Sequence, residues 1–387
     1  MKACRVLLYV QHLHGIGHLV RASRIASALK DAGLDVAVVM GGVPVAGFPE
    51  PGIRVIALPP LKAAPGFSAL LDMDGMVVSD EAKERRRDFL LSVVKEFKPQ
   101  IIVTEAFPFG RRQMRFELVP MLDLAHRMQP KPLIVSSIRD ILQEKTKPAR
   151  SEETARIVQD YFDLVLVHGD PAFSGIEETF PLASRFAEKI AYTGLVARSQ
   201  PAAAAEYFDV LVSAGGGAAG TRLIMDSVKA ARLLPESLRW CVLTGPNFSA
   251  EKSVLSSPPS NLEIFAFRPD FQGLLAGAGV SISQAGYNTV CDILQANCRS
   301  VLVPFAEGGE TEQATRAKRL ETLGLVQVLP EDSLSPTSLV DAITRALRTK
   351  RPIRSSLDLS GAQHSAEILL DRLRQPTERN RAAPLES

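Results

Sequence analysis

The sequence predicts an α/β protein made of two Rossmann-like domains that face each other across a cleft. Three observations lead there. The chain has 387 residues, more than one hydrophobic core usually serves. Short β-branched runs, glycine-bearing turns and helical patterns alternate along it, the rhythm of βαβ units and a parallel sheet. That rhythm breaks near residue 200 and then restarts in the same order of strand, glycine loop and helix.

The first unit takes residues 5–10 as a strand, 11–18 as a loop, and a helix with Ala22, Ile25, Ala26 and Leu29 on one face. Gly33 stops that helix, and residues 36–40 form the next strand. Further strands are expected at 53–58, 101–104, 133–136 and 164–167, with 59–80 an irregular stretch that suits a mobile loop over the cleft. Residues 1–197 thus make the first domain, and the Ala-, Ser- and Pro-bearing stretch 198–208 reads as a linker. Strands at 210–213, 240–244, 264–267, 280–283, 301–304 and 325–328 build a second domain over 209–350. A helix within 351–375 is expected to return to the first domain, and the polar stretch 376–387 to fray.

Composition narrows the class. Hydrophobic residues are 46% and charged residues 23%, ordinary for a soluble globular protein. A net charge of +2 supplies no global field that would argue for nucleic acid. No apolar run approaches the roughly 20 residues needed to span a bilayer. The opening MKACRVLLYV is too short for a secretory apolar region and reads as the first strand, so a cytoplasmic setting is expected. Cys4, Cys241, Cys291 and Cys298 lie in or beside apolar runs, as reduced core thiols do. The His and Cys residues never cluster at metal-ligand spacing, and no metal or cofactor is expected.

The chemistry gathers at strand-to-helix turns. His14-Gly15-Ile16-Gly17-His18-Leu19-Val20-Arg21 offers backbone and a helix N-terminus to negative charge. It lacks the third glycine of a dinucleotide site, and no acidic residue closes the second strand, which ends Met40-Gly41-Gly42; nicotinamide binding is disfavoured. His18 at the junction suits a general base, and equally a structural His that holds the loop. Ser213-Ala214-Gly215-Gly216-Gly217-Ala218-Ala219-Gly220-Thr221 suits close approach by phosphate or a tightly packed turn. Ser283-Gln284-Ala285-Gly286-Tyr287-Asn288-Thr289 is again strand, turn and helix start, where a diphosphate can sit on amides. Asp292 lies one turn on, placed for ribose hydroxyls, and Glu312-Gln313 opens a later helix with groups that take several sugar hydroxyls. In the first domain, Glu105-Ala106-Phe107-Pro108-Phe109-Gly110-Arg111-Arg112-Gln113-Met114-Arg115 follows a strand's C-terminal end. Glu105 is a second candidate base. The arginines suit a phosphate-bearing or lipid-linked acceptor, an anionic membrane surface, or a solvated basic helix start. Arg139-Asp140 is a similar, weaker candidate.

These turns together resemble the GT-B glycosyltransferases, and among them family 28, the family of the peptidoglycan N-acetylglucosaminyltransferase. The resemblance spans nearly the whole chain, best over residues 5–35 and 262–325. It implies an N-terminal domain whose glycine loop ends in a His, matched by Gly15-Ile16-Gly17-His18; taken with the residues above, Gly17, Arg21, Arg111, Arg112 and Arg139 are expected to face the acceptor, with His18 or Glu105 as base. It implies a C-terminal domain for a nucleotide-diphosphate sugar, a UDP-sugar by family default. The glycines Gly215, Gly216 and Gly217 join that donor set. Phe267 and Arg268 fall at the base, Gln284, Gly286, Asn288 and Thr289 at the phosphates, Asp292 at the ribose, and Glu312 and Gln313 at the donor sugar. Two departures stand out: Gln284 where relatives often carry Arg or His, and Asp292 where they carry Glu. The implied activity is metal-independent, inverting hexosyl transfer (EC 2.4 class) in bacterial polysaccharide or glycolipid biosynthesis, with peripheral contact at the inner face of the membrane. A UDP-sugar hydrolase on the same fold, whose opening also reads Gly-Ile-Gly-His-x-x-Arg, and a catalytically silent GT-B binding subunit remain open alternatives.

Overall fold

The computed structural model describes residues 3–13, 15–45, 47–64, 66, 68–143, 148–198, 204, 206–214, 220–245, 248, 258–306, 309–352 and 356–374. The N-terminal half holds β1 (Arg5–Val10), α1 (Gly17–Asp31), β2 (Asp35–Met40), β3 (Arg54–Ala57), β4 (Lys62–Ala63), β5 (Leu70–Leu71), α2 (Asp80–Phe97), β6 (Ile101–Glu105), α3 (Arg115–Arg127), β7 (Leu133–Arg139), α4 (Pro148–Tyr161), β8 (Leu164–His168) and β9 (Ile190–Tyr192). Seven of these strands form one parallel sheet in the order β3-β2-β1-β6-β7-β8-β9. The second half holds β10 (Val210–Ser213), α5 (Thr221–Ala231), β11 (Trp240–Leu243), β12 (Leu262–Phe265), α6 (Phe271–Gly277), β13 (Val280–Ser283), α7 (Tyr287–Ala296), β14 (Ser300–Leu302), α8 (Glu312–Thr322), β15 (Gln327–Val328), α9 (Pro336–Arg348) and α10 (Gly361–Arg374). Its six-stranded parallel sheet runs β12-β11-β10-β13-β14-β15. In both sheets the order reverses beside the first strand, which opens a crevice at the C-terminal strand ends.

The strands are apolar on both faces because helices cover both. One face of the first sheet packs Leu7, Tyr9 and Ile102 against Leu90, Val94, Leu118 and Leu122 of α2 and α3. The other packs Val6, Leu8 and Val103 against Leu19, Ile25 and Leu29 of α1. That second core continues without a break into Tyr287, Val290 and Cys291 of α7 and Ala362, Ala366 and Leu369 of α10. The closing helix α10 therefore lies on α1, and its entry is stitched to the domain crossing by Gly361 N donating to Leu195 O at 3.0 Å and Leu195 N to Asp358 O at 2.7 Å.

Some expected boundaries move. The first helix begins at Gly17, so His18 lies in its first turn rather than in the preceding loop. The strand expected at 264–267 is Leu262–Phe265: Trp240 pairs with Leu262, and that register leaves Phe267 past the strand, 66% exposed. Arg139 ends β7 instead of following it. The stretch 59–80 carries the β4–β5 hairpin and buries Leu61, Leu70 and Val78 in the first core, so its described residues form an anchored wall rather than a free loop. The three-residue edge strand β9 carries no sequence signal of its own. Among the described residues no helix is long and apolar enough to cross a membrane.

Candidate active site

Strand register brings the first cluster together. β1 pairs with β6, Tyr9 opposite Thr104, so the turn after β1 and the end of β6 are neighbours. His18 Nδ1 lies 3.0 Å from Glu105 Oε1. Arg21, one turn along α1, forms an ion pair with the same carboxylate oxygen. Glu105 pairs in register with Ser137 of β7, whose hydroxyl donates to Oε2 at 2.7 Å. Ser137 Oγ in turn lies 2.8 Å from His168 Nε2 at the end of β8, and His168 Nδ1 lies 2.9 Å from Thr193 Oγ1.

The proton positions in this chain follow from Glu105 being ionised. A carboxylate only accepts, so Ser137 gives its one hydrogen to Oε2 and must accept from His168 Nε2–H. His168 Nδ1 then accepts from Thr193, and His18 presents Nδ1–H to Glu105. Burial pushes Glu105 up, but Arg21 and the bond from His18 outweigh it and hold the carboxyl at about 2. Burial, reinforced by the Arg111 charge, pushes His18 down to about 3 against the pull of Glu105. Burial and Arg21 likewise push His168 down to about 3. His18 is thus a neutral imidazole with Nε2 as the lone-pair nitrogen. Nε2 bonds no described residue, and the side chain is 19% exposed. Glu105, by contrast, has both oxygens engaged, by His18 and Arg21 on one side and Ser137 on the other. The geometry corrects its reading as a base; it orients His18.

Across the interface stands α7. Its first turn has no side-chain cap, Gly286 at the N-cap is extended (φ −63°, ψ 146°), and a Cβ built on Gly286 meets nothing within 4 Å. No side chain caps the amides of that turn, and the space beside Gly286 is open. Asn288 Nδ2 donates to Gly17 O at 2.9 Å, which ties this turn to the residue before His18. Its Oδ1 is buried without a partner. Thr289 and Gln284 are half-buried beside it.

Several expected ligands are drawn into ion pairs between the domains. Arg21 is buried against Glu105 and over the Tyr287 ring, 5.1 Å from its centroid, so it does not face an acceptor. Glu312 is buried between Arg139 and Arg316, and Arg316 also holds Asp140 at 2.6 Å. With its carboxylate committed to two guanidiniums, Glu312 is not available to a sugar. Gln313 Oε1 accepts from Phe305 N at 3.2 Å. Asp292 Oδ1 accepts from Arg24 at 2.7 Å and Gln272 at 2.9 Å, while Oδ2 bonds no described residue. Arg268 pairs with Glu206 and Asp270, both at 2.7 Å. Gly215, Gly216 and Gly217 lie outside the described residues.

On the first domain, Arg112 and Arg115 both pair with Glu153, and Phe107 and Phe109 are buried in the core. Arg111 differs: it turns inward, and Nε donates to Gln11 O at 2.6 Å. Sequence reasoning missed Ser137, His168, Arg24 and Arg316. Ser137 and His168 sit near C-terminal strand ends, a position that could have flagged them. The arginines sit mid-helix and are found only once the domains are docked. Among the described residues no group of three His, Cys, Asp or Glu is arranged to hold a metal ion.

Comparison with known proteins bears on this arrangement. Residues 211–367 match the profile of the glycosyltransferase family 28 C-terminal domain. Over 379 residues, 92% of this chain and 95% of the relative, the chain is 20% identical to an uncharacterized glycosyltransferase of Methanosarcina mazei. It is 23% identical over 352 residues, 86% of this chain and 78% of the relative, to a UDP-N-acetylglucosamine--N-acetylmuramyl-(pentapeptide) pyrophosphoryl-undecaprenol N-acetylglucosamine transferase of Clostridioides difficile. Among solved structures, the calicheamicin glycosyltransferase CalG4 covers 99% of this chain and 100% of its own at TM-score 0.60 and 18% identity. MurG of Acinetobacter baumannii covers 96% and 100% at TM-score 0.56 and 15% identity. The C-terminal domain is thus a family 28 domain, and the chain is a glycosyltransferase with the GT-B fold, a hexosyltransferase of EC class 2.4.

Proposed function

We propose that this enzyme transfers a sugar from a UDP-sugar to an acceptor hydroxyl, with inversion and without a metal ion. The observation that carries the proposal is a His–carboxylate dyad and an uncapped, open helix start held together by the Asn288–Gly17 bond at 2.9 Å. Neutral His18 takes the acceptor proton on Nε2 as the acceptor oxygen attacks the anomeric carbon. The bond from that carbon to the diphosphate breaks, and the leaving oxygen keeps the electron pair. One in-line displacement inverts the centre. A helix N-terminus carries about half a positive charge, and with its free amides it meets the departing diphosphate as a preorganised electrostatic partner.

The donor assignment draws on relatives named for UDP-N-acetylglucosamine, and a structural neighbour solved with dTDP belongs to the same pyrimidine class. Asp292 Oδ2 is the oxygen left for a ribose hydroxyl, and Phe267 and Arg268 flank the base. Gln313, rather than Glu312, serves the donor sugar. The setting we propose is cytoplasmic, with peripheral membrane contact if the acceptor is lipid-linked, as in relatives named for a pyrophosphoryl-undecaprenol acceptor. His18→Ala should lower turnover, followed as UDP release from a UDP-sugar panel with acceptors, by at least about tenfold, with UDP affinity nearly unchanged. Wild-type turnover in that variant would remove His18 from the mechanism.

A further inference from the structure

A cavity of about 390 Å³ lies in the N-terminal domain, between the segment after β6 and helix α4. That volume is in the range of small-molecule sites, roughly 300–1,000 Å³. Arg111, Arg112, Arg115 and Arg150 line it against one acidic residue, Glu153. Glu153 is committed to Arg112 and Arg115. Arg111 and Arg150 have no carboxylate bonded to them among the described residues.

Arg111 is held in place rather than left loose. Its φ of 57° and that of Ala106, 67°, are left-handed values that non-glycine residues rarely adopt. Phe107 O, between them, is pinned by Thr104 Oγ1 at 3.0 Å and Ser136 Oγ at 2.8 Å. Nε is fixed on Gln11 O, and the Gln11 side chain is clamped by Arg86 at 2.8 Å, itself paired with Glu117 at 2.7 Å. The two Nη ends of Arg111 bond no described residue. A half-buried arginine with no bonded carboxylate is a ready partner for an anion. Burial, with Arg139 nearby, pushes its pKa down to about 10 against the opposing pull of the Glu105 carboxylate.

Two residues of the lining link it to the proposed reaction centre and to the C-terminal domain. Arg111 is close enough for its charge to depress His18. Gln143, on the opposite wall, donates to Gly309 O of the C-terminal domain at 2.9 Å, four residues before Gln313.

We infer that this cavity holds a phosphate monoester borne by the acceptor, gripped by Arg111 and Arg150, so that the neighbouring hydroxyl is presented to His18. The inference rests on the proposed transferase reading and names the class of its acceptor. A dianionic phosphate matches two uncommitted guanidiniums with several charge-assisted bonds. The group comes either from a soluble phosphorylated sugar or polyol, or from a phospholipid headgroup.

The test uses the full chain with UDP bound. Calorimetry compares glycerol 3-phosphate with glycerol, and sedimentation compares vesicles of phosphatidic acid with vesicles of phosphatidylcholine. Binding of glycerol 3-phosphate identifies a soluble acceptor class, and binding of phosphatidic acid vesicles alone identifies the headgroup. In either case Arg150→Glu should weaken binding at least fivefold while UDP affinity holds. Arg150 is exposed, so this substitution tests recognition without disturbing the core. The inference is overturned if neither phosphate probe exceeds its neutral counterpart, or if Arg150→Glu leaves phosphate binding unaltered. Failure of the wild type to bind UDP would count instead against the donor reading, which keeps the two failures distinct.

Discussion

At the scale of single residues, the central feature is a line of polar groups running from half-buried His18 through buried Glu105, Ser137 and His168 to Thr193. Each is satisfied by the next, which is what low-dielectric surroundings demand. Two of its members, His18 and His168, stay neutral near pH 7, and this has a consequence for stability. Unfolded, a histidine titrates near 6.5; folded, both sit at about 3. Between those values the unfolded chain binds protons that the folded chain does not, so stability falls as pH drops below 6.5. Glu105, held at about 2 instead of 4.5, adds a further loss below pH 4.5. Melting temperature should fall steadily from pH 7 to pH 4.5, and His168→Gln should flatten the slope above pH 5. A variant slope equal to the wild-type one would contradict the buried neutral imidazole. His18 and Glu105 were legible in the sequence because one follows a strand at a glycine turn and the other closes a strand. Ser137 and His168 were not, since only the pairing of β6, β7 and β8 puts them in line.

At the scale of elements, α7 matters most. Its glycine turn, its start at Tyr287 and its preceding strand β13 could all be read from the apolar run and the break after it. The neighbouring β12 was misplaced by two residues, because the apolar run Ile264–Phe267 outlasts the strand and the pairing with β11 decides where it stops. Gly286 has backbone angles that alanine also adopts, and a methyl group there touches no protein atom. Gly286→Ala should therefore leave unfolding free energy within about 0.5 kcal/mol. The methyl would project into the space proposed for the diphosphate, so UDP affinity should fall at least several-fold. Unchanged affinity, measured by calorimetry, would move the diphosphate elsewhere.

At the scale of the whole molecule, the two domains meet through charge as much as through apolar packing. Arg24–Asp292, Arg316–Asp140, Arg139–Glu312 and Arg319–Glu178 all cross between them. The Arg316–Asp140 pair is fully buried, and removing one partner of such a pair typically costs about 3–5 kcal/mol. These pairs explain why part of the donor set expected from the sequence was wrong. A carboxylate at a helix start, as Glu312 is, reads the same whether it serves a sugar or Arg139 of the other domain. The two-domain architecture was legible because local periodicity writes it; the docking of the halves was not, because no local pattern encodes it.

The claim that organises all of this is that the amides opening α7 hold the diphosphate of the donor, opposite His18. A crystal structure of the chain with UDP bound tests it most directly. The account predicts diphosphate oxygens within hydrogen-bond distance of the amides of Tyr287, Asn288 or Thr289, with the uracil beside Phe267 and Arg268. UDP bound away from that turn, or a helix start still empty at saturating UDP, would contradict it.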